Sequence, residues 1–138
     1  MKKVTFGLSL ALASALFSSS AFAVNVIVHP SNDSNLDQST ISRIFLGKAK
    51  AFPNGTSVVP FDQAEGAGAT EEFNEKVLNR SGSQLKAYWS KLVFTGKGTP
   101  PEKLDGDAAV IEKVASTPGA IGYISGDAGG NVKVVATF

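Results

Sequence analysis

Cysteine is absent from this 138-residue chain, and histidine occurs once, as His29. The absence of cysteine excludes a disulfide-stapled fold and thiolate zinc sites, so the fold must rely on packing. No serine stands in a G-x-S-x-G setting, and a lone histidine near the end of a predicted strand is more often structural or solvated than catalytic. We therefore expect a non-enzymatic protein with no catalytic residue, no metal site and no cofactor.

A surplus of positive charge is also lacking. The chain has 13 Lys and Arg residues against 12 Asp and Glu residues. Two of the lysines, Lys2 and Lys3, belong to an amino-terminal leader, so the remainder carries one more acid than bases. Without a basic field, nucleic acid is not an expected partner.

Long apolar runs are confined to the first residues. Lys2 and Lys3 precede an apolar run at 6–17, and Ala21-Phe22-Ala23 matches an A-x-A cleavage site. This pattern predicts a bacterial signal peptide at 1–23 and a single domain at 24–138, located in the periplasm or secreted. A retained membrane anchor is the alternative, but the run is short for a span, and no membrane span is expected after cleavage.

The mature chain opens on a predicted strand. Residues 24–29 read VNVIVH, with β-branched side chains at alternating positions, as in a strand buried on both faces. A polar loop follows, and loops at the carboxyl ends of strands are where α/β proteins bind ligands. Ser31 and Asn32 are therefore candidate ligand-binding residues, with an ordinary turn as the alternative role for Asn32.

Residues 58–73, which read VVPFDQAEGAGATEEF, run from an apolar strand through a glycine-rich turn into a helix. The unpaired N–H groups and positive dipole end of such a helix start favour a bound anion. However, the segment has no Lys or Arg, while Asp62 and Glu65 precede the helix and Glu71 and Glu72 lie in its first turn. These carboxylates compete with an anion, so the backbone pattern and the side chains point in opposite directions.

The remaining pattern alternates helices and strands. We predict a helix at 38–46 capped by Asp37 and a helix at 70–78 capped by Thr70. A third helix, which includes residues from 85 onward, follows an S-x-x-Q capping box. A fourth helix is capped by Asp105 or Asp107 and extends to 116. Strands are predicted at 56–60, 120–124 and 132–135. The resulting β-α-β-α-α-α-β-β order indicates an α/β domain with a mixed sheet flanked by helices. Trp89 shares a helix face with Leu85 and Leu92, which favours a core position over an aromatic stacking platform.

Four ordered blocks resemble the phosphate-type periplasmic substrate-binding proteins of ABC transporters. They are LDQSTISRIFLGK at 36–48, FPNG at 52–55, YWSKLVFTG at 88–96 and TPGAIGY at 117–123. The resemblance spans nearly all of residues 24–125. It implies a type II periplasmic-binding-protein fold, and the length of 24–138 corresponds to about one of the two lobes of a full receptor.

This resemblance also directs attention to the ligand site. In the family, the segment before the helix usually reads R-x-D-G-S-G-T, in which arginine, aspartate and hydroxyls hold phosphate. Here Ala67, Gly68 and Ala69 occupy the S-G-T positions, and Asp62 or Gln63 lies where the arginine would be. Thr70 supplies the one nearby hydroxyl. The implied ligand-binding residues are therefore 62, 63 and 67–70, with weakened or altered binding of a phosphate-like anion.

Two function classes follow. The first is a non-enzymatic, periplasmic solute-binding-like module that takes a small oxyanion and works with a transporter or a sensor. The second is an envelope protein that uses the exposed lobe face, normally covered by a partner lobe, for protein interaction or self-association.

Overall fold

Five strands and four α-helices make up residues 23–138, which are the part of the chain described by this computed structural model. The predicted leader at 1–23 lies outside the described residues except for Ala23. No helix within 23–138 is long and apolar enough to cross a membrane. The elements are β1 Asn25–Val28, α1 Gln38–Phe45, β2 Val59–Gln63, α2 Gly68–Phe73, a π-helical segment Asn74–Leu78, α3 Gly82–Phe94, β3 Glu102–Leu104, α4 Gly106–Ser116, β4 Ala120–Ile124 and β5 Lys133–Thr137.

The sheet is mixed, with strand order β3-β2-β4-β1-β5. Strand β2 runs parallel to both β3 and β4, whereas β1 runs antiparallel to β4 and to β5. The carboxyl ends of β2, β3 and β4 therefore meet at one edge of the sheet. The carboxyl end of β1 lies at the opposite edge, because Val28 pairs with Ile121 and Asn25 with Ile124.

Helices cover both faces of the sheet, as predicted for an α/β domain. On one face, side chains from β1 and β4 pack with α1, α2 and the π-helical segment. On the other face, α4 packs through Val110 and Val114 against β2 and β4. Strand β4 is buried at all five positions because it is covered on both sides. Each face thus contributes its own apolar cluster, and the sheet separates the two.

Several local predictions are confirmed. Strand β1 is an interior strand buried along most of its length. Asp37 caps α1 by accepting a 2.7 Å hydrogen bond from the Thr40 amide. Both arms of the capping box are formed, because the Ser81 amide donates to Gln84 Oε1 and the Gln84 amide donates to Ser81 Oγ.

Other boundaries were wrong. The second strand begins at Val59 rather than 56 and extends to Gln63. Helix α2 begins at Gly68, so Thr70 lies inside the helix, and its hydroxyl donates to the Ala64 carbonyl instead of capping. Strand β3 was not predicted, since three residues are too few to show alternation. Asp105 takes the N-cap position of α4 without a side-chain hydrogen bond.

Helix α3 lies at the surface of the domain. The structure describes all of its residues, and none of them is fully buried. Tyr88 anchors it, through a 2.6 Å hydrogen bond from its hydroxyl to the Leu46 carbonyl. Trp89 is half-buried beside Gly47 and Gly98, so its predicted core position was wrong. At the end of the helix, Phe94 is 93% exposed. The apolar face of α3 is therefore only partly covered by the rest of the molecule.

Candidate functional site

Three chain segments converge where β2, β3 and β4 end. A turn connects β2 to α2, Asp105 connects β3 to α4, and Ser125 and Gly126 follow the end of β4. They border a crevice of about 550 Å³. Its lining consists of Gln63, Ala67, Gly68, Ala69, Glu71, Glu72, Gly106, Asp107 and Ser125. Loops at the carboxyl ends of parallel strands are the usual ligand position in α/β folds.

Backbone donors lie at the start of α2, where Gly68 and Ala69 line the crevice. The first intrahelical bond is donated by the Glu71 amide to the Ala67 carbonyl, at 3.1 Å. The amides of Gly68, Ala69 and Thr70 precede that bond, and no side chain caps the helix. Such amides remain available to solvent or to an acceptor.

Asp107 ties the three segments together. Its carboxylate accepts hydrogen bonds from the Gln63 side chain at 2.9 Å, from the amide and hydroxyl of Ser125, and from the Gly126 amide at 3.0 Å. Partial burial disfavours the charged carboxylate, but these donors outweigh that penalty and lower the pKa of Asp107. Asp107 is therefore ionised and held in place by the chain itself.

Asp62 belongs to a second polar group, on the face of the sheet that α1 and α2 cover. Its Oδ1 atom accepts a short hydrogen bond from the Tyr123 hydroxyl and a 2.9 Å bond from the Gln63 amide. The Tyr123 hydroxyl also lies 3.3 Å from Thr70 Oγ1. Burial raises the pKa of Asp62, and the two hydrogen bonds offset this only in part. Burial and the Asp62 charge together raise the pKa of Tyr123.

An aromatic cluster supports this polar group. The Tyr123 ring stacks on Phe73 with centroids 4.1 Å apart, and Phe73 contacts Phe45 edge-on at 4.7 Å. Tyr123 comes from β4, Phe73 from α2 and Phe45 from α1. The start of α2 is therefore fixed to the sheet by ring packing rather than by a cap.

The crevice is acidic. Among its nine described lining residues there are three carboxylates, those of Glu71, Glu72 and Asp107, and no Lys, Arg or His. Glu72 is paired with Lys76 at 2.8 Å, while Glu71 lies in the first turn of α2. A dianion at the α2 amides would therefore gain backbone hydrogen bonds and be repelled by nearby carboxylates.

The structure divides the sequence-predicted site residues into three places. Gln63, Ala67, Gly68 and Ala69 line the crevice together. Asp62 and Thr70 border a groove on the other side of the α2 start, and Gln63 reaches both spaces. Ser31 and Asn32 follow β1 and so lie at the opposite edge of the sheet. Because β1 is antiparallel to its neighbour, Ser31 and Asn32 do not join residues 67–70 at the crevice, and their ligand-binding role stays a prediction.

Asn32 and Ser31 instead make local contacts. The Asn32 side chain is buried and accepts a 2.9 Å hydrogen bond from the Ser34 amide, as in an Asx turn. The Ser31 hydroxyl lies 2.7 Å from His29 Nδ1. These bonds match the alternative turn role and the structural role considered for His29.

Sequence reasoning missed Asp107, Ser125 and Tyr123 as site residues. Asp107 was considered only as a cap, and Tyr123 only as part of a family block. The available signal was that Ser125-Gly126 follows a buried strand and that Asp107 follows Gly106. Without β3 in the predicted order, the second strand end at this edge could not be placed.

The opposite pKa shifts predict opposite pH effects on stability. Because folding raises the pKa of Asp62, this residue stabilises the fold at pH values below its ordinary pKa of 3.8. That stabilisation is lost as pH rises through the folded-state pKa. Because folding lowers the pKa of Asp107, this residue stabilises the fold at pH values above its ordinary pKa. That stabilisation is lost as pH falls through the folded-state pKa.

Urea unfolding of Asp62→Asn and Asp107→Asn from about pH 3 to pH 7 tests both signs. With rising pH, the stability of the wild type relative to Asp62→Asn should fall. Relative to Asp107→Asn it should rise. Parallel profiles for the two variants would contradict the assigned environments.

Solved structures of phosphate transport proteins are similar to this fold. A phosphate ABC transporter substrate-binding protein from Clostridium perfringens, solved with bound phosphate, is 22% identical over 82% of this chain, with a TM-score of 0.63. An ABC-type phosphate transport receptor from Vibrio cholerae is 15% identical over 82%, with a TM-score of 0.61. PstS from Borrelia burgdorferi is 17% identical over 74%, with a TM-score of 0.54.

The chain has the fold of one lobe of a periplasmic binding protein. It spans 44%, 45% and 40% of the three neighbours, less than half of each. This confirms the predicted mixed sheet with flanking helices and the resemblance to phosphate-type substrate-binding proteins at the level of fold. No protein-family model and no curated protein matches the sequence.

Proposed function

We propose that this chain is a non-enzymatic, solute-binding-like module of the bacterial periplasm, built on one lobe of a binding-protein fold. The observation that carries the proposal is the convergence of three strand ends and the uncapped α2 start around one crevice. The neighbours include a protein solved with phosphate, which supports an oxyanion as the ligand class. A transporter or sensor would be the partner that reads the bound state.

Phosphate binding in the crevice should be weak. The α2 amides supply donors, but the family arginine and hydroxyls are replaced by Ala67, Gly68, Ala69 and the Asp62–Gln63 pair, and three carboxylates line the space. One lobe also encloses less of a small ligand than a full pocket does. We expect a dissociation constant of roughly millimolar, far weaker than tight solute capture.

Isothermal titration calorimetry with inorganic phosphate tests this proposal. Wild type should show weak, saturable binding, and Glu71→Lys should strengthen it by about tenfold because a repulsive charge becomes attractive. Glu112→Lys makes the same change of net charge on the exposed face of α4, outside the crevice, and should have little effect. Absence of heat in wild type and Glu71→Lys would remove the small-anion function, and equal gains in both variants would assign binding to net charge.

Protein interaction through the exposed face is the second candidate function. The favouring observation is the uncovered end of α3, where Val93 is 53% and Phe94 is 93% exposed. Large exposed apolar side chains next to each other mark contact surfaces more often than isolated ones do. Light scattering at high protein concentration, with crosslinking in periplasm, discriminates this function, because a monomer without a crosslinked partner would count against it.

A further inference from the structure

A groove of about 510 Å³ lies between α3 and the β2 half of the sheet. Apolar side chains supply much of its wall, with Phe45 and Leu78 on one side and Leu85, Trp89, Val93 and Phe94 on α3. It forms because α3 rests on the protein without burying its side chains. The groove shares only Gln63 with the crevice described above, so it is a separate space.

A carboxylate lies in this apolar groove. Phe61 packs in the α4-side cluster, and alternation along β2 therefore directs Asp62 to the opposite face, where Phe45 and Tyr123 pack. An ionisable group at a core-facing strand position is costly unless it is paired. Asp62 has no salt bridge within residues 23–138. Its placement needs an explanation beyond packing.

Half of the Asp62 carboxylate is already satisfied. Oδ1 accepts the hydrogen bonds from Tyr123 and Gln63, whereas Oδ2 accepts none from the residues of 23–138. Within 23–138, the fully buried side-chain polar atoms without a partner are Asn32 Nδ2 and Ser34 Oγ. Oδ2 of Asp62 is not one of them, so it is not completely sealed from solvent. One acceptor of Asp62 thus has no donor among these residues and is not fully sealed, in a residue that lines the groove.

Three further charges stand on the groove rim. Lys103 on β3 is bonded to Glu65 at 2.9 Å, and Lys86 on α3 is near enough to Glu65 to lower its pKa together with Lys103. Both rim cations act on Glu65, and the charge of Lys103 also favours the ionised form of Asp62. Asp62, deeper in the wall, has no donor of its own from these residues.

We propose that the groove binds a small organic cation, a primary amine on an apolar or aromatic body. The ammonium group donates to Asp62 Oδ2, and the apolar body packs against Leu85, Trp89 and Val93. Charge complementarity decides the ligand class, since an anion would meet the Asp62 carboxylate and a neutral ligand would leave Oδ2 without a charged donor. Burial of the apolar body supplies the rest of the affinity.

Fluorescence of Trp89, the one tryptophan of the chain, reports on this groove directly. The probe is phenethylamine, and the matched neutral probe is 2-phenylethanol, which has the same body without the charge. Wild type should bind the amine with a dissociation constant of roughly millimolar. It should prefer the amine to the alcohol by at least about tenfold, as expected for a hydrogen bond to a charged group.

Asp62→Asn should abolish this preference. Glu102→Gln, which removes one negative charge from an exposed position on β3 outside the groove, should retain it. Equal binding of the two probes to wild type, no saturable response to the amine, or full preference in Asp62→Asn would overturn the proposal. Because phosphate titration reports on the crevice, failure here leaves the proposed solute-binding function standing, and the converse also holds.

A pH titration of wild type provides a measurement that does not depend on folding of the variant. As pH falls through the raised pKa of Asp62, the amine preference should disappear while binding of the alcohol persists. The hydrogen bond with Lys103 shifts the rim carboxylate of Glu65 in the opposite direction, because it lowers the pKa of that group. A preference that is unchanged on acidification would contradict the role of Asp62.

Discussion

Phe73→Ala should lower the free energy of unfolding by about 3–5 kcal/mol, the cost of removing a fully buried aromatic ring. Phe73 is 1% exposed and lies between Tyr123 and Phe45 in the aromatic cluster. The ring also fixes α2, whose start has no side-chain cap. Its loss should therefore weaken ligand binding at the α2 amides as well as overall stability.

Urea denaturation provides the comparison, with Phe94→Ala as the matched control. That variant deletes the same ring at a position that is 93% exposed, so its stability should stay within about 0.5 kcal/mol of wild type. Similar losses in the two variants would show that the aromatic cluster does not hold α2 in solution. A loss confined to Phe94→Ala would indicate that α3 is buried in an assembly.

Gly122→Ala should destabilise the protein by about 1–3 kcal/mol through overpacking. A Cβ at this position would lie 2.5 Å from Val110 Cγ1 and 3.4 Å from Val114 Cγ2. Valine in a helix has one strongly preferred rotamer, so Val110 cannot easily turn away. Helix α4 would have to move off β4, and the Asp107 carboxylate at its amino-terminal end would move with it.

Thermal unfolding followed by circular dichroism measures this effect. Gly130→Ala is the control, because its added Cβ meets no atom within 4 Å and its backbone is not left-handed. The control should unfold close to wild type. A Gly122→Ala variant that matches it would mean that the close approach of α4 to β4 is looser than described.

Sequence patterns predicted the elements that carry strong local signals. Strand β1 shows β-branched alternation, α1 has an aspartate cap, and α3 has both halves of a capping box. Each signal depends on neighbouring residues, so it can be recognised without the tertiary structure. The turn from β2 into α2 was misplaced because the Thr70 hydroxyl donates to Ala64, a bond that sequence does not distinguish from a cap.

The candidate site was predictable only in part, because it depends on strand direction. Residues 67–69 and Gln63 were identified from one continuous segment, whereas Asp107 and Ser125 join them through β3 and β4. The antiparallel direction of β1 removed Ser31 and Asn32 from this edge. Local patterns do not encode which strands are neighbours, so the three-segment crevice required the fold.

The groove required the structure for a different reason. The spacing of Leu85, Trp89 and Leu92 marks an apolar helix face, but not whether that face is covered. The structure leaves it partly open above Asp62, an acid that sequence reasoning had assigned to an anion site. The same residue therefore changes from an obstacle to phosphate into a candidate partner for an amine.

Amide-resolved NMR during a phosphate titration tests the central claim, that the crevice is a weak solute site, most directly. The account predicts fast-exchange shifts, saturating at roughly millimolar phosphate, at Gly68, Ala69 and Thr70 and across the crevice at Ser125. No shifts at these amides would contradict it. Shifts centred instead on Arg80 and the start of α3, where Arg80 and Lys86 border a wider depression of about 830 Å³, would equally contradict it.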